Sequence, residues 1–236
     1  MTVLYAHLEG FSTLSVTLSP DKAIILLNEL IGAFDEAAEQ YAVEKLRSMG
    51  STYLAVCGLS VPRIDHTKRT VDFALAMLSI VCLFCQKHGV DLSLDIGIHT
   101  GAIAAGVVGK RKFNYDVWGE TLNIARKIHE SPSQNVIQVS KSVFDALQGM
   151  YHFDQVADVP LKGKGKLAVW ELTPMDAFQT AVVTNGYSGQ FSWRPTSSFV
   201  RSGWFGTDYP RLIGRGDGNI LTYALTLGFP RSVRER

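Results

Sequence analysis

The order of hydrophobic periods in the first hundred residues limits the chain to few folds. Thr2–His7 is rich in β-formers and runs into a turn at Glu9-Gly10-Phe11-Ser12. Ser19-Pro20 then supplies an N-cap and a first-turn proline. Ile24, Leu27, Ile31, Phe34 and Ala38 follow at helical spacing, which predicts an amphipathic helix of about five turns. Val43–Met49 and Thr52–Leu59 read as two strands joined by a Gly50-Ser51 turn. A second long helix is expected from Pro62 to about Lys87, with Gly89 stopping it. Leu92, Leu94, Ile96 and Ile98 alternate with Ser93, Asp95, Gly97 and His99, the pattern of a half-buried strand.

Strand, helix, two strands, helix, strand is the βαββαβ order of a ferredoxin-like α+β core, with two helices packed on one face of an antiparallel sheet. Additional C-terminal strands and helices follow. They are a glycine-punctuated strand over Ala102–Gly109, a loop carrying Tyr115-Asp-Val-Trp-Gly119, a helix from about Glu120 to Glu130, a strand over Val136–Val139 and a short helix capped by Ser140. Pro160-Leu-Lys-Gly-Lys-Gly-Lys166 leads into a last strand near Leu167–Leu172. Residues 1–174 are read as one domain. Residues 175–236 hold seven arginines, no lysine and four acids, are rich in Gly and Ser, and sustain no helical period. This segment is expected to be a poorly ordered tail, with Ile220–Phe229 its one stretch of strand or frayed-helix character.

Acids and bases nearly balance, leaving a formal charge of +1. The chain therefore has no global field to draw in nucleic acid or anionic lipid, and binding to either is not expected. Three cysteines form no disulfide framework, and no signal peptide precedes the first strand. A reducing, cytoplasmic setting is the expectation. Cys82 and Cys85 lie within the helical run Phe73–Cys85 with no second cysteine pair, so they read as core packing rather than a metal or redox site. That apolar run is too short to cross a bilayer, and no membrane contact by this chain itself is expected.

Two segments carry a resemblance to a known family. They are Val43-Glu-Lys-Leu-Arg-Ser-Met-Gly-Ser-Thr-Tyr-Leu-Ala-Val-Cys-Gly-Leu59 and Tyr115-Asp-Val-Trp-Gly-Glu-Thr-Leu-Asn-Ile-Ala-Arg-Lys-Ile128. In this order and spacing they resemble the class III adenylate/guanylate cyclase homology domain over residues 1–174, most closely the second, metal-lacking cyclase domain of membrane adenylate cyclases. The resemblance implies attack of the 3′ hydroxyl of ATP or GTP on the α-phosphate, with loss of pyrophosphate, at a site shared by two domains. It also implies two divalent metals held on a pair of aspartates from one domain. Here those positions are His7 and Ser51. Neither suits a hard cation, since imidazole is a poor ligand for magnesium and a hydroxyl brings no charge. No metal ligand is therefore assigned to this chain, and nearby Glu9, Asp95 and Asp116 are not taken as substitutes. Mg2+ or Mn2+ enters only if a partner domain supplies the carboxylates.

The nucleotide side is better kept. By the same resemblance Asp116 reads the purine edge, its carboxylate accepting from an adenine amino group, and Arg47 is its partner, a cation suited to adenine N1. Taken without the motif, the two are a loop-capping aspartate and an exposed strand arginine. Asn123 matches the residue that positions the ribose. Lys127, four residues on and so on the same helical face, stands where the family has a transition-state arginine; it keeps the charge but loses the planar fork. Arg126 points about 100° around the helix. Lys162, Lys164 and Lys166 match a stretch that contacts the triphosphate, although such a loop in isolation is a solvated turn. The expected partners are ATP or another purine nucleotide and a second cyclase domain, in a homo- or heterodimer. Two roles stay open: the nucleotide-holding half of an adenylate cyclase, or an inactive pseudo-cyclase acting as a regulatory module. The sequence also admits a fragment of a longer chain.

Overall fold

The structure, a computed structural model, describes residues 1–108, 114–130, 135–156, 158–161 and 165–172. The chain opens with β1 (Thr2–Glu9), α1 (Phe11–Thr17), α2 (Pro20–Tyr41), the hairpin β2 (Glu44–Met49) and β3 (Thr52–Cys57), α3 (His66–His88) and β4 (Ser93–Thr100). A second hairpin, β5 (Ala104–Val108) and β6 (Asn114–Trp118), leads into α4 (Glu120–His129), β7 (Ile137–Ser140) and α5 (Lys141–Leu147). β8 (Phe153–Gln155), β9 (Val159–Leu161), β10 (Gly165–Leu167) and β11 (Val169–Leu172) complete it.

Seven strands form one sheet in the order β2-β3-β1-β4-β7-β11-β8. Its first four strands are antiparallel neighbours, as the ferredoxin-like reading requires, and β7 joins β4 in parallel. Alternation along β1 assigns the two faces. Leu4, Ala6 and Leu8 pack with Leu94, Ile96 and Ile98 of β4 against Leu30 and Phe34 of α2 and Phe73, Met77, Ile80 and Phe84 of α3, all buried. Val3 points the other way and shares a smaller cluster with Leu54, Val56 and Ala125 of α4, flanked by Tyr5 and Leu122. The sheet is thus covered on both sides, by α2 and α3 on one and by α4 on the other.

Gly97 fixes how closely α4 sits. A Cβ on Gly97 would lie 2.1 Å from the Ala125 carbonyl oxygen and 2.7 Å from the His129 nitrogen. Only glycine admits the helix backbone at that distance.

Several element expectations are corrected. The segment read as a turn after β1 continues into α1, opened by Gly10 at φ 83°, with Leu14 N–H donating to the Gly10 carbonyl at 3.0 Å. Seven residues make about two turns, too few for a helical period to show. The third helix begins at His66, not Pro62. Asp65 stands at its N-cap, its carbonyl accepting from Arg69 N–H at 3.0 Å and its carboxylate from Arg69 Nε at 2.7 Å. Residues 115–118, expected as loop, form β6 because β5 offers a partner in register from Ala104↔Trp118 to Val108↔Asn114. β8, β9 and β10 are three-residue strands that no local pattern announces.

α3 spans 23 residues and by length and composition alone could cross a membrane, so it is longer than the apolar run suggested. Twelve of its residues are buried in this domain, the behaviour of a core helix. Cys82 and Cys85 lie on it half-buried, and burial pushes both thiols up, Cys85 to about 11. A protonated thiol is a poor nucleophile and ligand, in keeping with a packing role. The predicted tail, residues 175–236, lies outside the described residues.

Candidate functional site

Arg47 and Asp116 are 69 residues apart in sequence and lie on different hairpins, β2 and β6. The structure brings them together, with Arg47 Nη1 and Asp116 Oδ1 3.7 Å apart. A register shift in β2 between Lys45 and Arg47 falls at this point of the strand. Asp116 also accepts from the Val117 N–H at 2.9 Å, so the loop-capping and the charged roles coexist. Both side chains are substantially exposed. Such a pair is worth roughly 0–1 kcal/mol, and a ligand that replaces its contacts would break it at little cost.

α4 presents the next two candidates. Asn123 and Lys127 are exposed, while Thr121, Ala125 and Ile128 are buried against the sheet. Lys127 is engaged: its ammonium donates to the Glu130 carboxylate, which Arg126 Nε also approaches at 3.5 Å. The Lys127 hydrogen bond, opposed by burial, holds Glu130 below the usual carboxylate range. Lys162 and Lys164 lie outside the described residues; Lys166 is exposed on β10, paired with Pro160 of β9.

His7 and Ser51 are adjacent, as a shared metal site would need. β1 and β3 pair His7 with Thr52, and Leu8 N–H donates to the Ser51 carbonyl at 2.7 Å, fastening the hairpin turn to the strand end. His7 Nδ1 is 3.5 Å from both the Ser51 and the Thr52 hydroxyl oxygens, at the outer limit of hydrogen bonding. One imidazole and two hydroxyls do not fit a hard divalent ion. Among the described residues, no group of three or more His, Cys, Asp or Glu could hold a metal.

Two neighbours share this end of the sheet: His129, which the sequence did not single out, and Asp95, which was weighed there as a metal carboxylate and set aside. His129, in the last turn of α4, packs against Tyr5 in a tilted arrangement, ring centroids 4.6 Å apart and planes at 45°, and lies 5.7 Å from the His7 ring. Burial lowers its pKa, with His7 adding to the shift and a hydrogen bond to the Arg126 carbonyl opposing it. The available signal was its place one residue after the buried Ile128, on the sheet-facing side of the helix.

Asp95 is the cross-strand partner of His7 on β4. It is 7% exposed, and its Oδ1 accepts from the Asn135 N–H at 2.9 Å. Burial, with Glu9 adding to it and the backbone donors of Asn135 and Val136 opposing, raises its carboxyl to about 7. A half-protonated buried acid is a poor replacement for a metal carboxylate.

The folded chain keeps a proton that the unfolded chain releases near pH 4. The contribution to stability is therefore full below that value and is lost as pH rises to about 7. Glu9 and His7 are the titratable groups facing it. Asp95→Asn is expected to flatten the pH dependence of the melting temperature between about pH 4 and 7; parallel curves for variant and parent would show that the carboxyl is not buried this way.

The comparisons agree with this architecture. The model of the adenylate and guanylate cyclase catalytic domain matches residues 1–174. The chain is 35% identical over 171 residues to an adenylate cyclase of Mycobacterium tuberculosis, covering 72% of this chain and 39% of that protein. It is 29% identical over 154 residues to adenylate cyclase type 9 of Gallus gallus, covering 65% of this chain and 12% of that protein. The guanylate cyclase domain of RhGC from Catenaria anguillulae, solved in complex with GTP, superposes with a TM-score of 0.69 at 27% identity, over 73% of this chain and 94% of that one. The chain thus spans well under half the length of these curated relatives. With the two-sided sheet, the paired Arg47 and Asp116 and a family match from residue 1 to residue 174, the chain belongs to the adenylate and guanylate cyclase catalytic domain family.

Proposed function

We propose that residues 1–174 are the nucleotide-holding, metal-deficient half of an adenylate-cyclase-type dimer, acting in a reducing, cytoplasmic setting. The observation that carries this reading is the Arg47–Asp116 pair at 3.7 Å. A carboxylate and a guanidinium side by side match the donor and acceptor edge of adenine: Asp116 accepts from the amino group, and Arg47 donates to N1. Guanine presents the opposite edge and is disfavoured. Asn123 orients the ribose from the exposed face of α4. Lys127, once released from Glu130, neutralises charge that develops on the α-phosphoryl oxygens as the 3′ hydroxyl attacks and pyrophosphate leaves. Lys162 and Lys164 are the further candidates for the triphosphate. Mg2+ or Mn2+ belongs to the partner's carboxylates, because His7 and Ser51 do not fit it.

The engagement of Lys127 by Glu130 favours a second reading, an inactive pseudo-cyclase that binds nucleotide or docks a partner domain. Mixing separates the two. The chain is assayed for cyclic AMP production from ATP with magnesium or manganese, alone and with a metal-competent cyclase domain whose nucleotide-side residues are disabled. Activity only in the mixture is the expected result, and Asp116→Ala should raise the KM for ATP in that mixture by about tenfold or more, the scale of a hydrogen bond to a charged group. Activity of the chain alone would overturn the metal argument; none in the mixture gives the regulatory reading the lead.

A further inference from the structure

His7 and His129 meet on the face of the sheet that α4 covers, with ring centroids 5.7 Å apart. We propose that His7 and His129 together bind a borderline transition ion of the zinc type. This site does not depend on the nucleotide-holding reading.

The fold, not the sequence, makes the pair. His7 follows Val3 and Tyr5 on the face of β1 that α4 covers, and His129 reaches the same face from the last turn of α4. Gly97 lets that turn sit directly on β4, where an added Cβ would lie 3.1 Å from the His129 Cβ. The His129 backbone is therefore held in place over the sheet, and Tyr5 packs on its ring.

The geometry suits a shared ion. Two imidazoles bound to one tetrahedral ion at about 2.0–2.1 Å per nitrogen place their ring centroids roughly 5–6 Å apart. The two rings here are 5.7 Å apart, with planes at 59°. His129 Nδ1 lies 2.5 Å from the Arg126 carbonyl oxygen. That contact requires the proton on Nδ1, which leaves the Nε2 lone pair free. A ligating histidine that donates its other N–H to a backbone carbonyl is the usual second-layer arrangement at zinc. Among the described residues, His7 Nδ1 has only the long 3.5 Å approaches of Ser51 and Thr52 to compete with a ligand bond.

Neutral nitrogen donors favour zinc, nickel, copper or cobalt over magnesium. Two protein ligands leave the remaining positions to water, so the expected dissociation constant is on the order of micromolar, weaker than that of four-ligand structural sites. Bound ion would join the end of β1 to the last turn of α4, two residues beyond Lys127.

Isothermal titration of the purified full chain with zinc chloride, in the presence of excess magnesium, tests the site. One zinc per chain is expected, with affinity reduced at least tenfold by His7→Ala and by His129→Gln and unchanged by His152→Ala, a substitution at an exposed histidine on a different part of the surface. Melting temperatures without metal show whether each variant is folded. Cobalt(II) spectra of the unaltered chain give a second reading that needs no variant: nitrogen and oxygen ligation is expected, with no thiolate charge-transfer band. No zinc uptake, uptake indifferent to both histidine substitutions, or a thiolate band from Cys57, Cys82 or Cys85 would each overturn the proposal.

Discussion

A chain carrying His7→Asp, Ser51→Asp and Lys127→Arg together is expected to make cyclic AMP from ATP and magnesium as a homodimer, with no other cyclase domain added, at least about a hundredfold faster than the unaltered chain. The scale is that of one well-placed electrostatic group, and three are being restored. The geometry is favourable for the two aspartates. Residues 7 and 51 already touch through Nδ1 and Oγ at 3.5 Å, and the Leu8 N–H to Ser51 carbonyl bond at 2.7 Å pins the turn to the strand end. Two carboxylates there converge on one volume, which favours a divalent ion because the pair otherwise repels.

Arginine at 127 restores the planar fork that holds two phosphoryl oxygens at once. Glu130 would still compete for it, so adding Glu130→Gln should raise the rate further. Measuring cyclic AMP beside a thermal melt separates chemistry from folding. A folded but silent triple variant would show that the nucleotide side does not assemble into a working site, and the regulatory reading would then stand.

The second large effect lies away from the chemistry. Gly97→Ala should destabilise the domain by about 3 kcal/mol, the upper part of the range for overpacking a core, and lower the melting temperature by roughly 6–12 °C for a domain of this size. The obstruction is backbone on the facing side: the Ala125 carbonyl oxygen at 2.1 Å and the His129 nitrogen at 2.7 Å. No rotamer change relieves it, so α4 must lift from β4. Asn123 and Lys127 ride on that helix. In the mixing assay the same variant should therefore lose activity beyond what its unfolded fraction explains, even though residue 97 is not among the nucleotide candidates. An unchanged melting temperature would mean that the helix does not approach the sheet this closely.

Parts of the site were readable because they depend on residue type alone. An imidazole at 7 and a hydroxyl at 51 are poor donors for a hard cation in any packing, so the proposal of a metal-deficient half rests on residue type and not on coordinates. The nucleotide candidates Arg47, Asp116, Asn123 and Lys127 could be named from their motifs. The 3.7 Å approach of Arg47 to Asp116 could not, because it depends on how two separate hairpins lie beside each other. Nor could the capture of Lys127 by Glu130, which is set by rotamers on an exposed helix end.

Sequence alone determined the order of the first six main elements, the two long helices and the alternation that divides each strand between two faces. These are local properties: a period of two or of 3.6 is written into neighbouring residues. Tertiary structure alone decided which face α4 covers, that residues 114–118 pair as a strand, that the His129 ring comes within 5.7 Å of the His7 ring and that Asp95 is buried enough to titrate near neutrality. The physical reason is common to all four. Each is set by contacts between residues distant in the chain, through register, close backbone approach and exclusion of water, and none leaves a periodic trace in the segments that make it.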